Sequence, residues 1–164
     1  MGQPALCQCG YVKLWAGEVL SGENSQQFFD WYTFSHIAHG FIFYFLLSVA
    51  APKLSVGVRL LIAIGIEMSW EILENTPMVI NHYRQQALAQ GYTGDSILNS
   101  VSDTLSMVFG FILSRKLPVA AVIVIAVAME AFTLYMVRDG LILNVINLIH
   151  PFNFLETWQL SGTQ

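Results

Sequence analysis

Charged side chains are scarce in this chain: only 11% of its 164 residues are Asp, Glu, Lys or Arg, whereas 55% are hydrophobic. An ordinary soluble domain carries about a quarter charged residues, so the composition speaks against that class and is typical of a protein that crosses a membrane several times. Basic residues are especially few, with 7 Lys and Arg in all. They form no stripe of the kind that follows a phosphate backbone, which speaks against nucleic acid as a partner.

The chain also lacks internal repeats and low-complexity tracts. Residues 1–10 show no basic region followed by an apolar core, so they do not resemble a cleavable signal peptide. The only cysteines are Cys7 and Cys9. One residue apart, they would form a strained disulfide at best, so two free interfacial thiols are the simplest interpretation, with an intermolecular link and a soft-metal contact left open.

Long apolar stretches, by contrast, occur four times, and each is close to the roughly 20 residues that a helix needs to cross a bilayer. We therefore predict an all-α integral membrane protein with four transmembrane helices in an up-down bundle. The predicted helices are 34–51, 57–76, 97–114 and 118–138. Together they form a transmembrane domain of 34–138, flanked by interfacial segments 1–33 and 139–164.

The distribution of basic residues predicts the orientation of this bundle. One short turn carries Lys53 and Arg59, and another carries Arg115 and Lys116, with no acidic residue in either. Lys and Arg favour the cytoplasmic side of a membrane, so we expect both turns to lie there. The opposite end, which includes the long 77–95 loop, is then extracytoplasmic.

Ionisable residues interrupt three of the apolar stretches, all toward the predicted extracytoplasmic end. They are His36 and His39 in the first stretch, Glu67, Glu71 and Glu74 in the second, and Asp95 and Asp103 at the start of the third. Residues three, four and seven apart share one face of a helix, so each helix offers one polar stripe to the others. Because ionisable groups are costly in hydrocarbon, they usually face a bundle interior or a wet cavity. The pattern predicts a polar, acidic site near the outer leaflet.

Imidazole and carboxylate groups together suit a divalent transition metal such as zinc or iron. The predicted ligands of one such ion are His36, His39, Glu71 and Glu74. Water activated by the metal would attack a lipid-linked ester or phosphate of the cell envelope, as in a hydrolase or transferase. The carboxylates predicted to act in catalysis are Glu71, Asp103 and Glu67. The predicted partners include membrane lipids. The side chains predicted to bind the substrate are Asn75, Asn99, Ser100, Arg84 and Arg138.

Two other functions compete with this one. The polar groups would also satisfy one another in a non-catalytic accessory or assembly subunit of a larger membrane complex, where such contacts fix helix register. Asp95 or Ser96 is expected to cap the third predicted helix, so Asp95 is expected to be a cap rather than a catalyst. A transporter or proton pathway is the weakest hypothesis, because 118–127 offers no polar continuation to the cytoplasmic side.

Several sequence runs resemble those of the uncharacterised protein family 0314, also called domain of unknown function 2585. They are Cys9–Trp15, Asp30–Tyr32 with Ser35–Gly40, Trp70–Asn75 and Gly94–Asp103. The resemblance covers nearly the whole chain and implies a multi-pass protein of the bacterial inner membrane, often with an additional N-terminal membrane helix. It implies no biochemical activity.

A looser resemblance is to VanZ-like membrane proteins, which place acidic residues and a histidine at similar points of their helices. The corresponding positions here are Asp30, His36, Glu71, Asp95, Asn99 and Gly110. The chain departs from that pattern by its second histidine, His39, and by Glu67 and Glu74. This resemblance implies a role in the cell envelope and rests on analogy alone.

Overall fold

The computed structural model describes residues 2–161, which form seven helices and no β-strand. The helices are α1 (Thr33–Ala50), α2 (Val56–Glu74), α3 (Pro77–Tyr83), α4 (Ile97–Lys116), α5 (Val119–Val137), α6 (Leu141–Ile149) and α7 (Asn153–Leu160). Residues 1 and 162–164, the outermost ends of the predicted terminal segments, lie outside the described residues. The prediction of an all-α protein is confirmed for the part of the chain described.

The four long helices α1, α2, α4 and α5 begin and end within two residues of the ranges predicted from the sequence. By length and composition, α1, α4 and α5 are able to cross a membrane. The helix α2 has 19 residues, but Arg59 and its three glutamates make it too charged to join this group on composition. Three apolar helices therefore support membrane association, and a fourth crossing remains a prediction.

Two glycines allow α1 and α4 to pack closely. A Cβ atom added to Gly40 would lie 2.1 Å from the backbone oxygen of Met107, and one added to Gly110 would lie 2.1 Å from that of Ile37. Small residues at such a crossing let two helix backbones approach each other in a membrane. The crossing fixes how the side chains of α1 and α4 are positioned along the bundle relative to one another, including those of His36 and Asp103.

Apolar and polar side chains are buried toward opposite ends of the bundle. At the end nearer the short α1–α2 turn, the buried core consists of Ala63, Met107 and Phe111. Toward the other end the buried side chains of the same helices are His36, Glu67 and other polar groups. The helix α5 buries only Thr133, so most of its apolar surface faces outward, as expected of a helix in contact with lipid.

Serine side chains cap the first turns of α2 and α4. Ser55 accepts a hydrogen bond from the backbone N–H of Val58 at the start of α2, and Ser96 accepts one from that of Asn99 at the start of α4. Of the two candidate caps at this second position, Ser96 is the cap. The Asp95 carboxylate has other partners, so the expectation that Asp95 serves as a cap is wrong.

The segment before α1 folds over the start of α4. The backbone oxygens of Pro4 and Ala5 accept hydrogen bonds from Ile97 and Leu98, and that of Ser25 accepts one from Ser96. These N–H groups belong to the first turn of a helix and have no partner inside it. Residues more than 70 positions away in the sequence thus pair with the free N–H groups at the start of α4. Residues 2–32, which lie above the polar ends of α1 and α4, are called the roof below.

A disulfide joins Cys7 to Cys9 within this roof. The interpretation of the pair as free thiols is therefore wrong for the described structure. A one-residue spacing disfavours a bridge only on average, because it requires an unusual local backbone. Here the chain turns sharply at this point, with Gly10 in a left-handed conformation at φ +84°.

Candidate functional site

A cavity of about 480 Å³ lies beneath the roof, within the size range of small-molecule binding sites. Its wall is formed by the polar ends of α1, α2 and α4, by residues 19–25 of the roof, and by parts of the 83–93 and 139–159 segments. Side chains from several helices and from the roof therefore meet around one space. Six of the seven predicted ionisable residues lie on that wall, namely His36, His39, Glu67, Glu74, Asp95 and Asp103.

Glu67 is fully buried and contacts both histidines. Its Oε1 atom lies 2.7 Å from Nδ1 of His36, and its two carboxylate oxygens lie 3.2 and 3.1 Å from Nδ1 of His39. With a proton on Nδ1, each imidazole donates to this carboxylate and keeps its Nε2 atom free as an acceptor or metal ligand. Such a carboxylate behind a histidine orients the ring and makes it a better ligand.

His36 lies near two other buried carboxylates, one at each of its ring nitrogens. Its Nε2 atom lies 3.8 Å from Oδ2 of Asp103, and its Nδ1 atom lies 3.6 Å from Oε1 of Glu71. Ligand atoms of these three residues lie within 4.8 Å of one another. Among the described residues, Oε1 of Glu71 and Oδ1 of Asp103 have no hydrogen-bond partner. Leaving buried carboxylate oxygens unpaired is costly, and the three side chains are close enough together that they could hold a metal ion.

A second trio, Glu71, Glu74 and Asp95, also brings its carboxylate oxygens within 4.8 Å of one another. Asp95 is held on both oxygens, because Asn75 donates to Oδ2 at 2.7 Å and Tyr92 donates to Oδ1 at 2.8 Å. Burial raises the pKa of Asp95 to about 6 even though these hydrogen bonds favour the ionised form. The second trio therefore brings three carboxyl groups together at a place where burial opposes the ionisation of Asp95.

A second space, an open groove of about 510 Å³, lies between α2 and α4 on the outer surface. Its sides are apolar and include Met68, Ile72, Val101 and Leu105, while Glu71 lies at its wall. Since His36 and Asp103 line the cavity and Glu71 lines the groove, their trio lies between the two spaces. Asp95 lines both.

Three of the residues predicted to bind substrate lie close to this centre. Asn99 lines the cavity and donates to the backbone oxygen of Gln27 in the roof. Asn75 and Ser100 line the groove instead. Asn75 also holds Asp95, both through its Nδ2 donor and through Oδ1, which accepts from the backbone N–H of Asp95 at 2.7 Å.

The two arginines predicted to bind substrate lie elsewhere. Arg84 donates to the backbone oxygen of Tyr92. Arg138 donates to the backbone oxygen of Trp158 and to the hydroxyl of Ser161, and it stacks on the Trp158 ring. Neither side chain lines the cavity or the groove. Both stabilise the conformation of the loops that carry them.

Two buried aspartates next to the site were not among the predicted site residues. Asp30 is 1% exposed and accepts hydrogen bonds from the backbone N–H groups of Ser25 and Tyr32. Asp139 lines the cavity and accepts a hydrogen bond of 3.0 Å from the hydroxyl of Tyr32. The hydrogen bonds of Asp30 belong to a local turn, whereas the Tyr32 partner of Asp139 lies 107 positions away in the chain, so no local signal indicates that contact.

We expect the Asp139→Asn substitution to change how stability depends on pH. Burial raises the pKa of Asp139 from 3.8 to about 6, so between these values the folded protein holds a proton that the unfolded chain releases. The free energy of unfolding of the wild type then falls as pH rises from about 4 to about 6. The variant lacks this pH dependence, so its free energy of unfolding should rise by roughly 2 kcal/mol relative to that of the wild type over that range. Urea or thermal unfolding in detergent at pH 4, 5, 6 and 7 measures the difference, and parallel curves would refute it.

Comparison with known proteins identifies one family. Residues 1–161 match the family described as "Protein of unknown function (DUF2585)". A UPF0314 protein of Sphingopyxis alaskensis is 51% identical over 162 residues, which covers 99% of this chain and 86% of that protein. UPF0314 proteins of Rhizobium meliloti and Brucella anthropi are 52% and 49% identical, covering 97% and 96% of this chain and 81% and 80% of theirs. No solved structure matches.

Proposed function

Because the chain belongs to the DUF2585 family and buries a group of side chains that could hold a cation, we propose that it is a membrane-embedded metalloenzyme. The resemblance to this family that the sequence runs indicated is thereby confirmed. In this proposal it hydrolyses or transfers a lipid-linked ester or phosphate of the bacterial cell envelope. The helix α2 crosses the inner membrane together with α1, α4 and α5, so the transmembrane domain is a four-helix bundle. The roof and the cavity face the extracytoplasmic side, away from the basic turns.

The observation that carries the proposal is the trio of His36, Glu71 and Asp103. All three side chains are at least nine-tenths buried, and one oxygen of each carboxylate has no hydrogen-bond partner. No Lys or Arg side chain lines the cavity among the described residues. A divalent cation bound by one imidazole and two carboxylates would satisfy these oxygens and offset the negative charge.

The geometry modifies the roles expected from the sequence. Asp103 joins the ligand set, while Glu67 orients His36 and His39 through hydrogen bonds from both rings. When bound, the metal would supply Lewis acidity and an activated water. Glu74, which is half-buried and lies on the cavity wall, is the carboxylate placed to accept a proton from the nucleophile.

The groove between α2 and α4 supports a lipid-linked substrate. Its sides offer Met68, Ile72, Val101 and Leu105 to an acyl chain, and Glu71, a proposed ligand of the metal, lies on its wall. The cavity lies on the other side of the same trio. A lipid with its chain in the groove and its headgroup in the cavity would place the connecting bond at the metal centre.

The test is the metal content of the full chain, purified in mild detergent without chelator. We expect about one tightly bound zinc or iron per chain in the wild type and none in the His36→Ala/Glu71→Ala double variant. The matched control is His150→Ala/Glu156→Ala, which removes a histidine and a glutamate that are both exposed and should keep the metal.

Absence of metal from wild type and control alike would refute the proposal. That result would favour the accessory-subunit function instead, because the hydrogen bonds of Glu67 to both histidines are also the kind of contact that fixes helix register in a scaffold. Stable co-purification with a larger membrane complex would then be expected.

A further inference from the structure

The cavity wall contains many uncharged hydrogen-bonding side chains beyond the acidic centre. The amides on it are Asn24, Gln86, Asn99, Asn144, Asn147 and Gln159. A binding site usually has a few such groups in a mostly apolar wall, and they determine which ligand fits. Asn99, Asn144 and Gln159 already donate to backbone oxygens of the protein, so the amides that bear on a ligand are those with unpaired atoms.

Two of these amides have an atom without a partner. The Nε2 donor of Gln86 and the Oδ1 acceptor of Asn24 form no hydrogen bond with the protein. Gln86 is only 8% exposed, so water from the surface does not reach most of its side chain. A buried donor or acceptor left unpaired costs free energy, which a ligand recovers if it pairs with both atoms. A hydroxyl group donates and accepts, so hydroxyl groups suit both positions.

The charges on the wall indicate that this ligand is neutral. The cavity has carboxylates from Glu67, Glu74, Asp95, Asp103 and Asp139 and no Lys or Arg side chain among the residues described. His36 and His39 also line the cavity, and both contact Glu67. Apart from the proposed metal, an anionic headgroup such as a phosphate would therefore meet more carboxyl groups than cationic groups on this wall. The rings of Tyr32, Trp70, Tyr83 and Tyr92 also line the space and offer apolar faces to the C–H groups of a sugar.

We propose that the cavity binds a neutral polyhydroxylated headgroup, such as the hexose of a glycolipid, with Gln86 and Asn24 as specificity-determining residues. This inference rests on the proposed function, because it names the headgroup of the lipid whose bond would lie at the metal centre. It favours an ester-linked glycolipid over a phospholipid as the substrate class.

The test measures binding to lipid nanodiscs of phosphatidylcholine that contain either glucosyl-diacylglycerol or phosphatidylglycerol. The protein is the full chain, purified without chelator in a detergent without a sugar headgroup so that the cavity is not already filled. We expect the glycolipid to bind at least about tenfold more tightly than phosphatidylglycerol, and Gln86→Leu to weaken it about fivefold to tenfold. Gln85→Leu is the matched control, since Gln85 is the exposed neighbour of Gln86 and does not line the cavity.

Equal binding of the two lipids, or unchanged glycolipid binding by Gln86→Leu, would overturn the inference. Free glucose that binds as tightly as the glycolipid would overturn the assignment to a lipid headgroup. Metal content, measured on the same samples, separates the two proposals. Bound metal without glycolipid preference leaves the metalloenzyme standing, whereas glycolipid preference without metal leaves only the headgroup site.

Discussion

Replacing Gly40 by alanine should prevent α1 and α4 from packing and lower the free energy of unfolding by more than about 3 kcal/mol. The added Cβ atom would lie 2.1 Å from the oxygen of Met107 and 2.5 Å from the nitrogen of Phe111. Both are backbone atoms, so no side-chain rotation relieves the overlap and the helices have to separate. Because His36 and Asp103 lie on these two helices, the metal should be lost together with the stability.

Gly65→Ala is the matched control for this prediction. Gly65 also lies inside a long helix, but an added Cβ atom there meets nothing within 4 Å. Alanine favours a helix over glycine by up to about 1 kcal/mol, so this variant should be unchanged or slightly more stable. The fraction of each variant that elutes as a monodisperse peak in size-exclusion chromatography after a temperature ramp ranks the stabilities of the two variants. Equal losses in the two variants would show that the close crossing is not what matters.

Asp103→Asn should have opposite effects on metal binding and on the stability of the metal-free protein. Asparagine has nearly the same shape but no charge, so we expect bound metal to fall from about one per chain to none. The metal-free variant should be more stable than the metal-free wild type by about 1 to 3 kcal/mol, because a buried carboxylate with an unpaired oxygen is removed. Addition of a chelator should accordingly destabilise the wild type and leave the variant unchanged.

Asp30→Asn is the comparison that isolates the cause. Asp30 is as deeply buried as Asp103, but backbone N–H groups donate to both of its oxygens. An amide retains only one acceptor, so this variant should lose stability and keep its metal. If both variants lost stability to a similar degree without chelator dependence, Asp103 would be an ordinary structural residue and the metal centre would be refuted.

The sequence predicts the helices and part of the site, for a reason that lies in helix geometry. Glu67 and Glu71 are four residues apart on α2, and His36 and His39 are three apart on α1, so each pair shares a face regardless of tertiary structure. The cost of placing them in hydrocarbon implies that these faces meet. The structure brings them together, although it pairs Glu67 with the histidines and leaves Asp103 open beside His36.

What the sequence did not predict depends on contacts between distant segments. The positions of Arg84 and Arg138 are set by Tyr92 and Trp158 in the loops, and loop conformation follows no periodicity. Asp139 reaches the site because Tyr32 lies opposite to it, and nothing near Asp139 in the sequence indicates this. The roof is held by hydrogen bonds between Gln26 and Gly94 and between Gln27 and Asn99. Such contacts between distant segments cannot be predicted from sequence patterns either.

The roof also imposes an order on biosynthesis. The ribosome makes the roof segment before α4, and its partners at Gly94, Ser96 and Asn99 emerge about 70 residues later, after α1 and α2. Until then the segment lacks these hydrogen-bond partners, and the polar ends of α1 and α2 stay uncovered. The cavity can therefore close only after α4 has been inserted, so an interrupted nascent chain ending before α4 would carry an open, unfinished site.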